Sequence, residues 1–73
     1  MAPRVFAALA VTITPQDVGK RVTVRRRVPE GFRDAVGELL SWSDGVLVVR
    51  RRNGECVEID EHTIVAAKVV TPR

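Results

Sequence analysis

The chain is poor in the residues that most protein chemistry needs. It has one cysteine (Cys56), one histidine (His62), no tyrosine, and only Phe6, Phe32 and Trp42 as other aromatics. A lone cysteine excludes a disulfide framework and a cysteine-based zinc site, and a lone histidine excludes paired-histidine ligation. Long apolar runs are lacking too. The stretch from Val5 to Ile13 is broken by Thr12 and falls well short of the ~20 residues that a spanning helix needs. Because it is so short, it reads as an N-terminal arm or extra strand rather than a targeting segment. No cofactor, metal or membrane partner is expected, and the cytoplasm is the expected location.

Seventy-three residues leave room for one core only. Apolar residues make up 45% of the chain, with valine the main contributor, so that core must be aliphatic. The formal charge is +3, with twelve basic residues against nine acidic. Ten of the basic residues are arginines, six of them in two runs of three, while the acids are scattered along the chain. That excess is compatible with nucleic acid but is a weak pointer to it.

Hydropathy alternates with period two along most of the chain, which predicts an all-β domain. Thr14-Pro15-Gln16-Asp17-Val18-Gly19 predicts one short helical turn, with Thr14 as its cap and Pro15 at its first position. Strands are expected over Lys20 to Val28, Asp34 to Trp42, Val46 to Arg52, Glu55 to Asp60 and Ile64 to Val70. Between the first two, Pro29-Glu30-Gly31 turns the chain and Phe32 to Asp34 completes a loop. Gly37 inside the second strand marks a bend or bulge of the kind a small barrel needs in order to close. The architecture expected is therefore a small five-stranded SH3-like barrel with one short helical turn. Residues 1–13 form an arm or extra strand, 14–70 the barrel, and 71–73 the start of a linker.

Two glycine turns set the register of the central hairpins. Asn53-Gly54 suits a two-residue type I′ turn, which would pair Arg52 with Glu55, Arg50 with Val57 and Val48 with Ile59. Val46, Val48, Val57 and Ile59 then face the core, while Leu47, Val49, Cys56, Glu58 and Asp60 face outward. Ser43-Asp44-Gly45 as a three-residue loop would pair Trp42 with Val46 and bury Trp42. A two-residue Asp44-Gly45 loop would instead put Trp42 and Leu40 on the face of Leu47 and Val49. Consistent burial favours the three-residue loop. On that register Leu39, Leu47 and Val49 form a second apolar surface and are the candidate protein contacts.

Arg25-Arg26-Arg27 and Arg50-Arg51-Arg52 are the conspicuous charge runs. Arg25, Arg27, Arg50 and Arg52 are the candidate contacts to nucleic acid. Strand alternation splits each triplet across two faces, and no exposed aromatic is expected among them to stack bases. Pairing with Glu38, Glu55 and Glu58 on a solvated face is the favoured reading of these arginines. His62, in a turn beside Asp60 and Glu61, has no second catalytic group near it in sequence. Neither it nor Cys56 forms a nucleophile–base arrangement, and no catalytic residue is assigned.

The segments "DVGKRVTVRRRVPEG" (Asp17 to Gly31), "DAVGELLSWSDGVLVVRRRNGECVEID" (Asp34 to Asp60) and "IVAAKVVTP" (Ile64 to Pro72) resemble the small SH3-like domain that precedes the catalytic domain in actinobacterial acetyltransferases of the GNAT superfamily. That resemblance implies a non-catalytic accessory module whose partner is an acetyltransferase domain or its protein substrate. The acetyl-CoA-binding segments of that family lie in the catalytic domain, and its pyrophosphate-binding loop has no match in this sequence. The stretch "VGELLSWSDGVLVV" (Val36 to Val49) is more loosely similar to Sm-type RNA-binding barrels, without their RNA-contact residues in the Asp-containing turn. It supports a nucleic-acid-binding barrel as the alternative function.

Overall fold

A computed structural model describes residues 11–70. The linker expected at 71–73, and all but the last residues of the N-terminal arm, lie outside the described residues.

The domain is a small five-stranded antiparallel SH3-like barrel with short helical turns. Its strands are β1 (Arg21–Val28), β2 (Gly31–Ser43), β3 (Val46–Arg51), β4 (Cys56–Asp60) and β5 (Ile64–Val69), ordered β4-β3-β2-β1-β5. One 3₁₀ turn, Pro15–Asp17, precedes β1, and a second, Glu61–Thr63, joins β4 to β5. The first forms where the sequence places it. Thr14 Oγ1 accepts the Gln16 N–H at 3.2 Å, and Asp17 Oδ2 accepts the Thr14 N–H at 2.9 Å, so two otherwise orphaned donors are satisfied. Asp60 caps the second turn by accepting the His62 N–H at 2.9 Å.

Val22 and Val24 of β1 lie in the core with Ala35 and Leu39 of β2, Leu47 and Val49 of β3, Ile59 of β4 and Ala67 of β5, and Ile13 packs beside them. Trp42, half-buried against this cluster, donates its indole Nε1–H to Glu61 Oε1 at 2.8 Å. It thereby ties the end of β2 to the 3₁₀ turn before β5. The barrel bends where the ladder slips. Bulges fall between Arg25 and Arg26 on β1 and between Leu39 and Ser41 on β2. At Gly37 the backbone of β3 comes so close that a β-carbon would collide with the Arg50 carbonyl.

The two hairpin turns have exchanged the roles expected of them. Asp44-Gly45 is the two-residue turn, with φ of 53° and 77°, and it pairs Ser43 with Val46 and Trp42 with Leu47. Arg52-Asn53-Gly54 is a three-residue loop closed on Arg51 and Glu55, with Gly54 at φ 90°. Asn53 is diverted by its own side chain, whose Oδ1 accepts the Glu55 N–H at 2.9 Å. The β3–β4 register is therefore Arg50–Cys56, Val48–Glu58 and Leu47–Ile59.

This shift by one residue turns β3 over. Leu47 and Val49, expected outside, are fully buried, and so is Leu39, whereas Val46 is exposed and Val48 half-buried. The three residues offered as protein contacts therefore have no surface to offer. Burial itself favours the observed register, because a leucine fills the interior better than the smaller valines flanking it. The extra residue in the β2 bulge then brings Glu38 opposite Arg50. Phe32 to Asp34 belong to β2 rather than to a loop, since Val28 pairs directly with Gly31.

Candidate interaction surfaces

Alternation sends Arg21, Thr23, Arg25 and Arg27 of β1 outward, and cross-strand pairing gives each a neighbour on β2. Arg25 faces Asp34, Arg27 faces Phe32, and Thr23 lies between Val36 of β2 and Lys68 of β5. The Arg25 guanidinium donates from Nε to Asp34 Oδ1 at 2.8 Å and from Nη2 to Oδ2 at 3.2 Å. This two-point hydrogen bond, with the charge behind it, lowers the Asp34 pKa and raises that of Arg25. Asp17 is likewise lowered, first by the Thr14 backbone N–H and then by Lys20, which donates to it at 3.0 Å. Arg50 donates to Glu38 at 2.8 Å, and Arg51 approaches Glu55 at 3.7 Å. These are exposed pairs that shape the charge pattern more than they stabilise the fold.

Of the four arginines proposed for nucleic acid, Arg25 and Arg50 are thus already engaged by carboxylates. Arg27 lies over the Phe32 ring, 5.5 Å from its centroid, and Arg52 sits in the exposed β3–β4 loop. The four do not form one patch, since Arg52 is at the β3–β4 loop and Arg27 beside the β1–β2 turn. Phe32 is 57% exposed, so an aromatic does stand among the basic residues, contrary to expectation. The signal was present in the sequence: a tight turn at Pro29-Glu30 places Arg27 opposite Phe32, and only the reading of 32–34 as a loop concealed it. Arg26 points to the inner side opposite Arg33, with its Nη1 buried and without a hydrogen-bond partner.

An open groove of about 490 Å³ runs along the outer face of β1 and β5, between Thr12 and the Arg25–Asp34 pair, with Thr23, Ala66 and Lys68 in its lining. Thr12 holds one wall in place by donating both its N–H and its Oγ1–H to the Ala67 carbonyl, at 3.0 and 3.1 Å. Cys56 is exposed, opposite Arg50. His62 is exposed in the second 3₁₀ turn. Among the described residues no helix is long and apolar enough to cross a membrane.

An open ladder of five antiparallel strands, a sharply bent β2 and a single 3₁₀ turn between β4 and β5 define the class of small Sm- and SH3-like barrels. More particularly, the family model described as the Rv0428c N-terminal Sm-like domain matches residues 11–68, and the chain belongs to that family. No curated protein and no solved structure matches it.

Proposed function

We propose that this barrel is a non-catalytic interaction module that serves a GNAT-type acetyltransferase domain, contributing contacts rather than reacting groups. What supports this reading is the description of the family, taken together with a resemblance in the sequence. The family is described as an N-terminal domain, which implies a further domain beyond it in the protein that gives the family its name. The resemblance of Asp17 to Pro72 to acetyltransferase accessory barrels supplies a candidate for that second domain. With Leu39, Leu47 and Val49 buried, docking falls to the outer face of β1 and β2, where Phe32 and Val36 are 57% and 43% exposed. An acetyltransferase catalytic domain of the resembled type, titrated onto the isotope-labelled chain, tests this. Amide shifts confined to that face, with none on adding acetyl-CoA alone, support the proposal. Binding of acetyl-CoA to the chain itself, or no response to the catalytic domain, overturns it.

A second reading, a nucleic-acid-binding barrel, draws on the Arg27–Phe32 stack at the β1–β2 turn, where a guanidinium and an exposed ring stand together. Titration with single-stranded RNA at increasing salt separates the two. A steep loss of affinity with salt supports nucleic acid, and no binding at low salt removes it.

A further inference from the structure

Pairing across β2, β1 and β5 sets two rows of side chains on the outer face. One row runs Asp34, Arg25, Ala66, and the next runs Val36, Thr23, Lys68. Ala66 is the small member among longer neighbours, so its methyl group becomes a floor rather than a filler. Thr12 walls the resulting groove on one side and the Arg25–Asp34 pair on the other.

Both walls are held before any ligand arrives. Thr12 is fixed by its two bonds to the Ala67 carbonyl, and Arg25 by its two-point bond to Asp34. A guanidinium has five N–H donors, and Asp34 engages only two of them. Lys68 is exposed and has no carboxylate partner among the described residues. Thr23, its neighbour across the ladder, adds a hydroxyl. Lys68 and Arg25 against the single carboxylate of Asp34 leave positive charge in excess along the groove.

We propose that this groove binds a small hydroxylated phosphate monoester, its phosphate held by Lys68 and Thr23 and its hydroxyls by Asp34. A phosphate monoester offers three charged oxygens to donors that approach from different sides. The Lys68 ammonium, the Thr23 hydroxyl and the remaining Arg25 N–H groups supply such donors. Asp34 selects the other end of the ligand. Each of its oxygens accepts one bond from Arg25 and can accept another, which suits a hydroxyl. The same carboxylate repels a continuous polyanion, so a nucleic-acid backbone is the wrong occupant here. The volume of about 490 Å³ is far more than one oxyanion fills and lies within the range of small-molecule sites, about 300–1,000 Å³. The site stands whether or not the barrel serves an acetyltransferase.

The probe is ribose 5-phosphate, titrated onto the whole chain while backbone amides are followed by NMR, with ribose and inorganic phosphate as comparators. The expected result is saturable shifts centred on Thr23, Asp34, Ala66 and Lys68, with a Kd of about 1 mM or below. Ribose alone and phosphate alone bind more weakly by about tenfold or more. Lys68→Gln weakens ribose 5-phosphate by about tenfold or more, whereas Lys20→Gln, outside the groove, leaves it unchanged. Ala66→Phe fills the floor and abolishes binding, while circular dichroism confirms that the barrel is intact. The proposal is overturned if inorganic phosphate binds equally well, if Lys68→Gln binds like the parent, or if no saturable shift appears by about 10 mM. It is also overturned if the free chain shows Overhauser contacts from residues 1–10 to Ala66 and Lys68, the groove then being filled by the chain itself.

Discussion

Gly37 offers a test in which the sign of the effect is at stake. A glycine inside a strand ordinarily costs roughly 0.5–1 kcal/mol relative to alanine, so Gly37→Ala would stabilise a generic sheet. Here the added β-carbon would collide with the Arg50 carbonyl oxygen and stand 2.7 Å from its carbon and 3.0 Å from the Arg51 Cα. All three are backbone atoms, so no rotamer change relieves the clash, and β3 must lift from β2 where Glu38 meets Arg50. Overpacking costs about 1–3 kcal/mol, and each weakened ladder bond adds about 1 kcal/mol, which gives a loss of roughly 2–4 kcal/mol. Domains of this size have about 4–11 kcal/mol in total. With a urea slope of about 1 kcal/mol/M, the midpoint should fall by about 2–4 M, read from the single Trp42 fluorescence. Gly54→Ala is the control, because its β-carbon meets nothing within 4 Å and only the φ of +90° opposes it. That change should cost about 1 kcal/mol. A Gly37→Ala midpoint at or above that of the parent would refute the close-approach explanation of the bend.

Trp42→Phe removes the indole donor to Glu61 and should cost about 2 kcal/mol by thermal melts followed with circular dichroism, the charged acceptor being left half-buried. Leu47→Ala should destabilise by about 2–5 kcal/mol and Val46→Ala by about 0.5 kcal/mol or less, in urea titrations; the reverse order would restore the register that places Val46 inside. Asp34 has a folded pKa below its unfolded value, so the unfolded chain binds more protons just below about pH 4, and the contribution is lost as pH falls through the folded value. The Tm difference between the parent and Asp34→Asn should therefore be present at pH 7 and vanish in acid, and a difference independent of pH would contradict the Arg25 pairing.

The fold was legible because valine alternation and glycine turns are local signals. The capped turn at Thr14, all five strands and the need for a bend near Gly37 could be read from residues adjacent in sequence. Which face of β3 is inside could not be read so easily. Val46-Leu47-Val48-Val49 is apolar at every position, so alternation does not distinguish its faces. The decision passed to two turns that both end in glycine. Asn53-Gly54 has the stronger two-residue signal, yet the Asn53 side chain and the placement of Arg52 draw it into a three-residue loop. Phe32 was hidden for a related reason, since a tight turn and a longer loop share the sequence Pro29-Glu30-Gly31. The groove across β1 and β5 was not legible at all, because it depends on the order of strands rather than on any one of them.

The core and the surfaces both depend on the inversion of β3, and one cross-strand NMR contact reports it. In the register described, Val48 and Glu58 form a non-hydrogen-bonded pair, whose α-protons face each other at close range. A strong Overhauser effect between the Hα of Val48 and the Hα of Glu58 is the expected result. The same signal between Val49 and Glu58 would contradict it, moving Leu47 and Val49 to the outside.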